Sequence, residues 1–381
     1  MPSTVKQWVT AQDGLNKLRI AEADMPTPGD KEVLVEIHAV SLNYRDTEVS
    51  MGQYNHHRDI KDNPTVVPCS DMCGIITAIG PGVSAWKVGD RVLSTFNQTH
   101  LTGQITSKDM PYGLGFPLPG VLATHRVFPE YGLVKAPEYL SDEEASTLPI
   151  AAVTAWVSIN GMRPLGQNGG EGQIVLLQGT GGVSVAGLQI AKASGAKGAS
   201  TYPSPITSKS FFFLRAKILI TMADTVIILS SSDTKLAQAK SVGADYTINY
   251  RTQPDWENEV MKLTSDHGAD IILETGGART LRKSFDCVAW GGLINSIGYL
   301  SGKEDEPGDR TNVNLLALRR TVTLKGIING PKDRFEEMLA FYEKHRIRPV
   351  VSRMFGFEEG KKALEFLYSG GHFGKVVVRV K

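Results

Sequence analysis

The sequence predicts an α/β protein, a doubly wound parallel sheet joined to a second unit rich in short strands. Three observations carry that prediction. Gln173 to Ala196 (QIVLLQGTGGVSVAGLQIAKASGA) reads as a buried strand, a glycine turn and a helix. From Ile150 onward, strand-like apolar runs alternate with helical ones, the pattern of a parallel sheet with crossover helices. Residues 1 to about 150 instead alternate short apolar runs with turn residues and show few helices. A length of 381 residues suits two domains.

In the first unit, Glu32 to Val40 reads as a strand with Val33, Val35, Ile37 and Ala39 on one face. Gly74 to Ile79 is another, closed by Gly80-Pro81-Gly82, and Val88 to Val92 turns into a third. Ala151 to Ile159 reads as a helix. Ile174 to Leu177 then form a continuous apolar run, as expected of a strand covered on both faces. Gly179, Thr180, Gly181 and Gly182 make the turn, and Val183, Ala186, Gly187, Ile190 and Ala191 recur at helical spacing. Strands at Thr225–Leu229, Tyr246–Tyr250, Asp270–Glu274 and Gly292–Ile297 alternate with helices at Asp233–Val242, Trp256–Thr264 and Thr280–Val288. After Thr321–Ile328 come helices at Asp333–Lys344 and Glu358–Tyr368 and a last strand at Lys375–Val380. That strand is expected to rejoin the first unit, because chain termini tend to lie close together. The expected domains are therefore 1–150 completed by 323–381, and 151–322.

One stretch breaks the alternation. Residues 197–224 separate the helix after the glycine turn from the next strand, where such a sheet normally needs about 2–6 residues. Without them the text runs AKASGATVIILSSSDTKLAQAK, a helix, a glycine stop and a buried strand. Three readings stand: a translated intron, which is favoured, a genuine surface insertion, or a functional loop. Phe211 to Phe213 and Ile218 to Ile220 would form a large exposed apolar surface if unpacked, which also raises the possibility of a chain that does not fold stably.

Composition narrows the function classes. Lys plus Arg number 41 against 40 for Asp plus Glu, so neither nucleic acid nor an anionic membrane is expected as a partner. No apolar run is long enough to span a bilayer, and Arg215 and Lys217 interrupt FFFLRAKILI. The first residues, MPSTVKQWVTAQDG, have no apolar core of signal-peptide type. Cys69, Cys73 and Cys287 make no disulfide framework, and a cytoplasmic location is expected. Cys69 and Cys73 with His56 and His57 fit no common zinc spacing and read as buried free thiols.

The glycine turn is the main chemical signal. Between a parallel strand and a helix, it lets a pyrophosphate rest on the exposed amides at the helix N-terminus. Ser184 stands where the usual third glycine would be; it is small enough for close packing. An NAD enzyme places an acid at the end of the next strand to bind the ribose hydroxyls. With residues 197–224 set aside, that place falls near Ser231, within Leu229-Ser230-Ser231-Ser232-Asp233 and followed by Lys235. Serine hydroxyls and a lysine suit a 2′-phosphate, which predicts NADP(H). Asp233 is expected to cap the following helix, the alternative being a ribose ligand.

With these pieces placed, the chain resembles the medium-chain dehydrogenase/reductase superfamily over nearly its whole length, and looks most like its zinc-free quinone oxidoreductases and NADPH-dependent enone reductases. The resemblance rests on SLNYRD (41–46), PGVSAWKVGDRV (81–92), LPIAAVTAW (148–156), QGTGGVS (178–184), VGADYTINYR (242–251) and HFGKVVV (372–378). It implies a GroES-like β-rich catalytic domain built from both ends of the chain, around a Rossmann domain. The family's zinc enzymes carry Cys-His where this chain has Asn43-Tyr44, and Gly-His-Glu where it has Cys69-Ser70-Asp71. The expectation is accordingly no metal.

The resemblance places the SLNYRD loop beside the nicotinamide. Asn43 is then expected to orient the ring or the substrate carbonyl. Tyr44 would donate to a developing oxyanion, or else be a packed aromatic. Asp46 is expected to fix the loop through Arg45, as a structural ion pair or as part of the site. Thr154 contacts the nicotinamide or a phosphate, or bonds its own helix backbone. Lys235 and Tyr250 approach the adenosine phosphate, and Gly298 lets the backbone pass close to the nicotinamide.

Hydride addition to a quinone or to the β-carbon of an enone gives a delocalised hydroquinone or enolate, which hydrogen-bond donors can stabilise. A simple ketone gives a localised alkoxide that profits from a Lewis acid. The expected activity is thus NADPH-dependent reduction of a quinone or an α,β-unsaturated carbonyl. The alternatives are an enoyl reductase of a biosynthetic, polyketide-like pathway and an NADPH-binding sensor without turnover. A homodimer is expected by resemblance, with Gly292–Ile297 either an interface strand or an internal one.

Overall fold

The structure is a computed structural model that describes residues 3–55, 65–195, 225–305, 308 and 312–381. The atypical segment 197–224 and the pair His56 and His57 lie outside the described residues. The chain divides into two compact units, one of Met1–Val153 with Asn329–Lys381, the other of Thr154–Ile328.

The first unit begins with the antiparallel pair β1 (Thr4–Val9) and β2 (Arg19–Asp24). Its main sheet is built on the long strand β3 (Glu32–Leu42). Beside it run β4 (Asp71–Ile79), then β5 (Arg91–Ser94), with β6 (His125–Pro129) on the first half of β3 and β7 (Leu133–Lys135) beyond β5. Trp8, Ile37, Met72, Ile76, Phe128 and Val376 belong to its buried core. Both β3 and β4 run further than alternation suggests, to Leu42 and from Asp71. The added residues include Ser41 and Asp71, polar yet fully buried. Neither face of these strand ends meets water, so the inside–outside signal disappears there.

The second unit carries β8 (Val175–Gln178), β9 (Val226–Ser230), β10 (Tyr246–Asn249), β11 (Ala269–Glu274), β12 (Val288–Ser296) and β13 (Thr323–Gly326). They form one sheet in the order β10-β9-β8-β11-β12-β13, with every pairing parallel. Counted from β8 this is the 3-2-1-4-5-6 order of a Rossmann sheet. The order reverses between β8 and β11, and ligands of such sheets bind outside the carboxyl ends of the strands at that point. Leu176, Ile227, Ile248, Trp256, Ile272 and Phe285 lie in the core. β9 pairs with β8 from Val175↔Val226 to Gln178↔Leu229. The strand that ends in Ser230 therefore lies next to the strand that feeds the glycine turn.

The chain then returns to the first unit. β14 (Val351–Gly356) runs parallel to β15 (Lys375–Arg379), and β15 pairs antiparallel with the second half of β3, Val376 opposite Leu42. The last strand rejoins the first sheet, as the sequence led us to expect. Among the described residues no helix is long and apolar enough to cross a membrane.

Candidate functional site

Each unit carries one half of the candidate chemistry. In the second, β8 ends at Gln178 and the chain turns at Gly179 with φ +78°, a conformation that costs an L side chain strain. A Cβ built there would meet nothing within 4 Å, so the turn opens onto free space. The helix Gly182–Gly195 starts three residues on, and its first amides have no intrahelical acceptor. Gly187 lets this helix settle on the sheet: a Cβ there would stand 3.0 Å from Leu273 Cδ2 and 3.1 Å from Leu177 Cδ2. Ser184 has a use that a glycine could not serve, since its Oγ donates to the Gln178 carbonyl at 2.7 Å. Thr180 is buried, whereas Gly181, Gly182 and Val183 stay partly open.

The turn is braced by a buried network that sequence reasoning missed. Glu274, the last residue of β11 and 0% exposed, accepts five hydrogen bonds. Its Oε1 takes Gly276 N at 2.9 Å, Gly277 N at 3.0 Å and Thr280 Oγ1 at 2.5 Å. Its Oε2 takes Gln178 Nε2 at 2.6 Å and the Ser284 hydroxyl. Gln178 Oε1 in turn accepts Thr275 N at 3.3 Å and Gly276 N at 3.2 Å. Side chains at the carboxyl ends of β8 and β11 thus hold each other in place. Gly298 belongs to the same frame: a Cβ there would lie 2.9 Å from the Thr275 carbonyl oxygen. The close approach that requires glycine is thus to the protein's own backbone.

The serines after β9 divide their roles. Ser230 is buried, and its carbonyl accepts Tyr250 N at 3.1 Å. Ser231 is partly exposed. Ser232, not Asp233, is the N-cap of the helix Asp233–Val242: it has the extended backbone of a cap (φ −132°, ψ 118°) and accepts Lys235 N at 3.4 Å. The Asp233 carboxylate instead accepts Asn249 Nδ2 at 2.7 Å. Lys235 is partly buried, which lowers its pKa. Tyr250 is exposed at the end of the neighbouring strand. Thr154 is buried near the start of the helix Val153–Asn160, and its carbonyl accepts Ser158 Oγ at 2.7 Å.

In the first unit, β3 delivers Asn43 to the start of the helix Tyr44–Ser50. Asp46 Oδ2 accepts the Asn43 amide at 2.8 Å and so shapes the loop. The link expected through Arg45 is the weaker one, with Arg45 Nη1 3.5 Å from Asp46 Oδ1. The guanidinium is spent elsewhere: it donates to Leu114 O at 3.0 Å and Phe116 O at 3.3 Å and lies 4.9 Å from the ring centres of Tyr54 and Phe96. Tyr44 stacks on Tyr368 (6.3 Å, 19°) and is 40% exposed, so its hydroxyl end is not locked in the core. Burial raises its pKa, with Glu48 adding to the shift.

Asp46 and Asp71 are both buried. Burial pushes Asp46 up to about 6, against the pull of Arg45. It also raises Asp71, which Lys375 pulls back down. Asp71 accepts Ser70 Oγ at 2.7 Å and Ile150 N at 3.0 Å. Lys375, at the start of β15, donates to Leu42 O and to Asn43 Oδ1, each at 2.6 Å. Two carboxylates and two cations therefore share one buried cluster. A lysine opening the apolar run KVVV is the sequence signal that could have found it.

A zinc ion does not fit this donor set. Asn43 and Ser70 offer an amide and a hydroxyl that are already engaged, and a buried ammonium 2.6 Å from Asn43 Oδ1 repels a second cation. Among the described residues no three His, Cys, Asp or Glu side chains converge as a metal site. Cys69 and Cys73 are buried free thiols, both held well above the ordinary thiol pKa by burial.

Comparison with known proteins agrees with both halves. Residues 29–138 match the alcohol dehydrogenase GroES-like domain, and residues 216–344 match the zinc-binding dehydrogenase family. The chain is 36% identical to the zinc-type alcohol dehydrogenase-like protein C1773.06c of Schizosaccharomyces pombe, over 96% of each chain. It is 24% identical to a quinone oxidoreductase-like protein 2 homolog of Nematostella vectensis, over 99% of this chain and 92% of that one. A solved putative alcohol dehydrogenase from Sinorhizobium meliloti 1021 shares 35% identity with a TM-score of 0.82, covering 100% of both chains. A solved NAD-dependent alcohol dehydrogenase shares 30% with a TM-score of 0.78, covering 99% of this chain and 100% of that one.

Proposed function

The chain belongs to the medium-chain dehydrogenase/reductase superfamily, and on that premise we propose that it is a zinc-independent, NADPH-dependent reductase of quinones or α,β-unsaturated carbonyls. The observation that carries this reading is the cluster around Asn43, which offers hydrogen-bond donors and a fixed ammonium where a metal enzyme needs ligands. Such a site suits an acceptor whose added charge spreads over a conjugated system.

Bound NADPH supplies the hydride. The protein's part is to hold and orient. The glycine turn and the first amides of the helix Gly182–Gly195 receive the pyrophosphate. Ser230, Ser231 and Lys235 form the adenosine end, with Tyr250 just past the adjacent strand. Asp233, the one acid there, is tied to Asn249, which favours a 2′-phosphate over a bare ribose. Asn43 and Tyr44 are the donors for the substrate oxygen.

The test is a steady-state screen of NADPH and NADH against quinones, enones and enoyl thioesters. Turnover with NADPH on quinones or enones is the expected result. Preference for enoyl thioesters would make the protein a biosynthetic enoyl reductase, and a wild-type preference for NADH would overturn the cofactor assignment. Ser231→Glu is expected to weaken NADPH about a hundredfold through like-charge repulsion, and NADH far less.

The assembly is read as a homodimer. Among the described residues β13 is an edge of the second sheet, and Trp290, Leu318 and Leu324 are exposed on and beside it. Leu318→Glu is expected to shift size-exclusion elution from dimer to monomer; wild-type elution as a monomer would refute the dimer.

A further inference from the structure

Lys375 faces the one atom of Asn43 that decides what the site presents. Lys375 Nζ donates to the carboxamide oxygen at 2.6 Å, while burial lowers the lysine's pKa and Asp71 and Asp46 oppose that shift. The same nitrogen is anchored by Leu42 O at 2.6 Å, in the strand that leads into Asn43. Asn43 N is held independently by Asp46. Main chain and side chain of Asn43 are therefore both fixed, and only Nδ2 remains. That nitrogen is buried and makes no hydrogen bond of normal geometry. It leans toward Asp71 closely enough to help hold that carboxyl down. A buried amide donor held only by such a loose approach is costly unless a ligand completes it.

We propose that Lys375 is a positioning residue whose ammonium locks the Asn43 carboxamide with Oδ1 inward, so that Nδ2–H is presented to the substrate oxygen that gains negative charge during reduction. This rests on the reductase reading given above. The ammonium does by hydrogen bonding and charge what the donor set cannot do with a metal. It also balances Asp46 and Asp71, so a neutral substitute removes both orientation and charge, whereas arginine keeps the charge and a donor.

A double-mutant cycle separates this role from simple charge balance. On an acceptor that the wild type reduces, Lys375→Met is expected to lower kcat about a hundredfold with KM little changed. Lys375→Arg should recover part of the loss. Lys375→Met combined with Asn43→Ala should be no slower than Asn43→Ala alone, because the lysine acts through the asparagine. Additive losses, or no recovery by arginine, would overturn the proposal. Should Lys375→Met fail to fold, the cycle is run with Lys375→Arg, and a full wild-type effect of that variant on top of Asn43→Ala overturns it equally. Should the wild type reduce no acceptor, the reductase reading fails by itself, and crystal structures decide the lysine's role. In the Lys375→Met variant the Asn43 carboxamide is expected to turn, taking Oδ1 away from residue 375 and Nδ2 away from Asp71; an unchanged carboxamide would overturn the positioning role whatever the activity.

Discussion

Glu274→Ala is expected to destabilise the second unit by more than about 3 kcal/mol and to abolish NADPH binding with it. The carboxylate is wholly buried and takes hydrogen bonds from Gln178, Gly276, Gly277, Thr280 and Ser284. Alanine removes these five contacts at once; Gly276 N keeps Gln178 Oε1 and Thr280 Oγ1 keeps Gly277 O, and the desolvation cost falls chiefly on the buried donors Gln178 and Ser284. The damage reaches the proposed pyrophosphate turn because Gln178 is the residue before Gly179. Its side chain would lose Glu274, while its carbonyl carries both Ser184 Oγ and Thr275 Oγ1. Glu274→Gln is expected to fall between, since one oxygen remains but the new NH2 confronts donors on whichever side it faces. Urea unfolding with and without NADPH, and NADPH titration of the folded variants, read both effects. An alanine variant within about 1 kcal/mol of wild type with unchanged NADPH affinity would show that the network does not brace the turn.

The sheet and its glycine turn were legible because backbone physics leaves few choices there. A positive φ at Gly179 and a close helix contact at Gly187 each demand glycine, and a doubly covered strand demands an unbroken apolar run. The helix that stops at Gly243, with φ +116°, was legible for the same reason. What escaped was polar and long-range. Glu274 reads as the polar end of DIILE, and nothing local says that it gathers donors from β8 and from the residues after β11. Lys375 reads as a charge at the start of a strand, and its partners Leu42 and Asn43 lie more than 330 residues away. The sequence points to Asp233 as the cap because serine and aspartate are both good caps; the cap is Ser232 because a tertiary partner, Asn249, occupies Asp233. A lone glycine such as Gly298 does not show in the sequence that the Thr275 backbone approaches it.

Deleting residues 197–224, so that Ala196 joins Thr225, is expected to raise the soluble yield of the protein several-fold while leaving NADPH affinity intact. The argument starts from the elements on either side. The helix Gly182–Gly195 precedes the segment, and after Thr225 β9 begins at Val226. β9 pairs with β8 in the register that a short connection would give, Val175 opposite Val226, and Val175 N donates to Thr225 O at 2.9 Å. The sheet therefore makes no demand on 28 intervening residues, and such helix-to-strand connections commonly need about 2–6. The apolar runs Phe211 to Phe213 and Ile218 to Ile220 would be removed with them, and with them an aggregation-prone sequence. Ser230, Ser231 and Lys235 stay beside the glycine turn because β9 holds them there. Expression of the two forms side by side, with NADPH titration of each, tests this directly. A deletion variant that is insoluble or blind to NADPH would show that the segment belongs to the native protein. A spliced message that retains the 84 coding nucleotides implied by its 28 residues would separately rule out an intron.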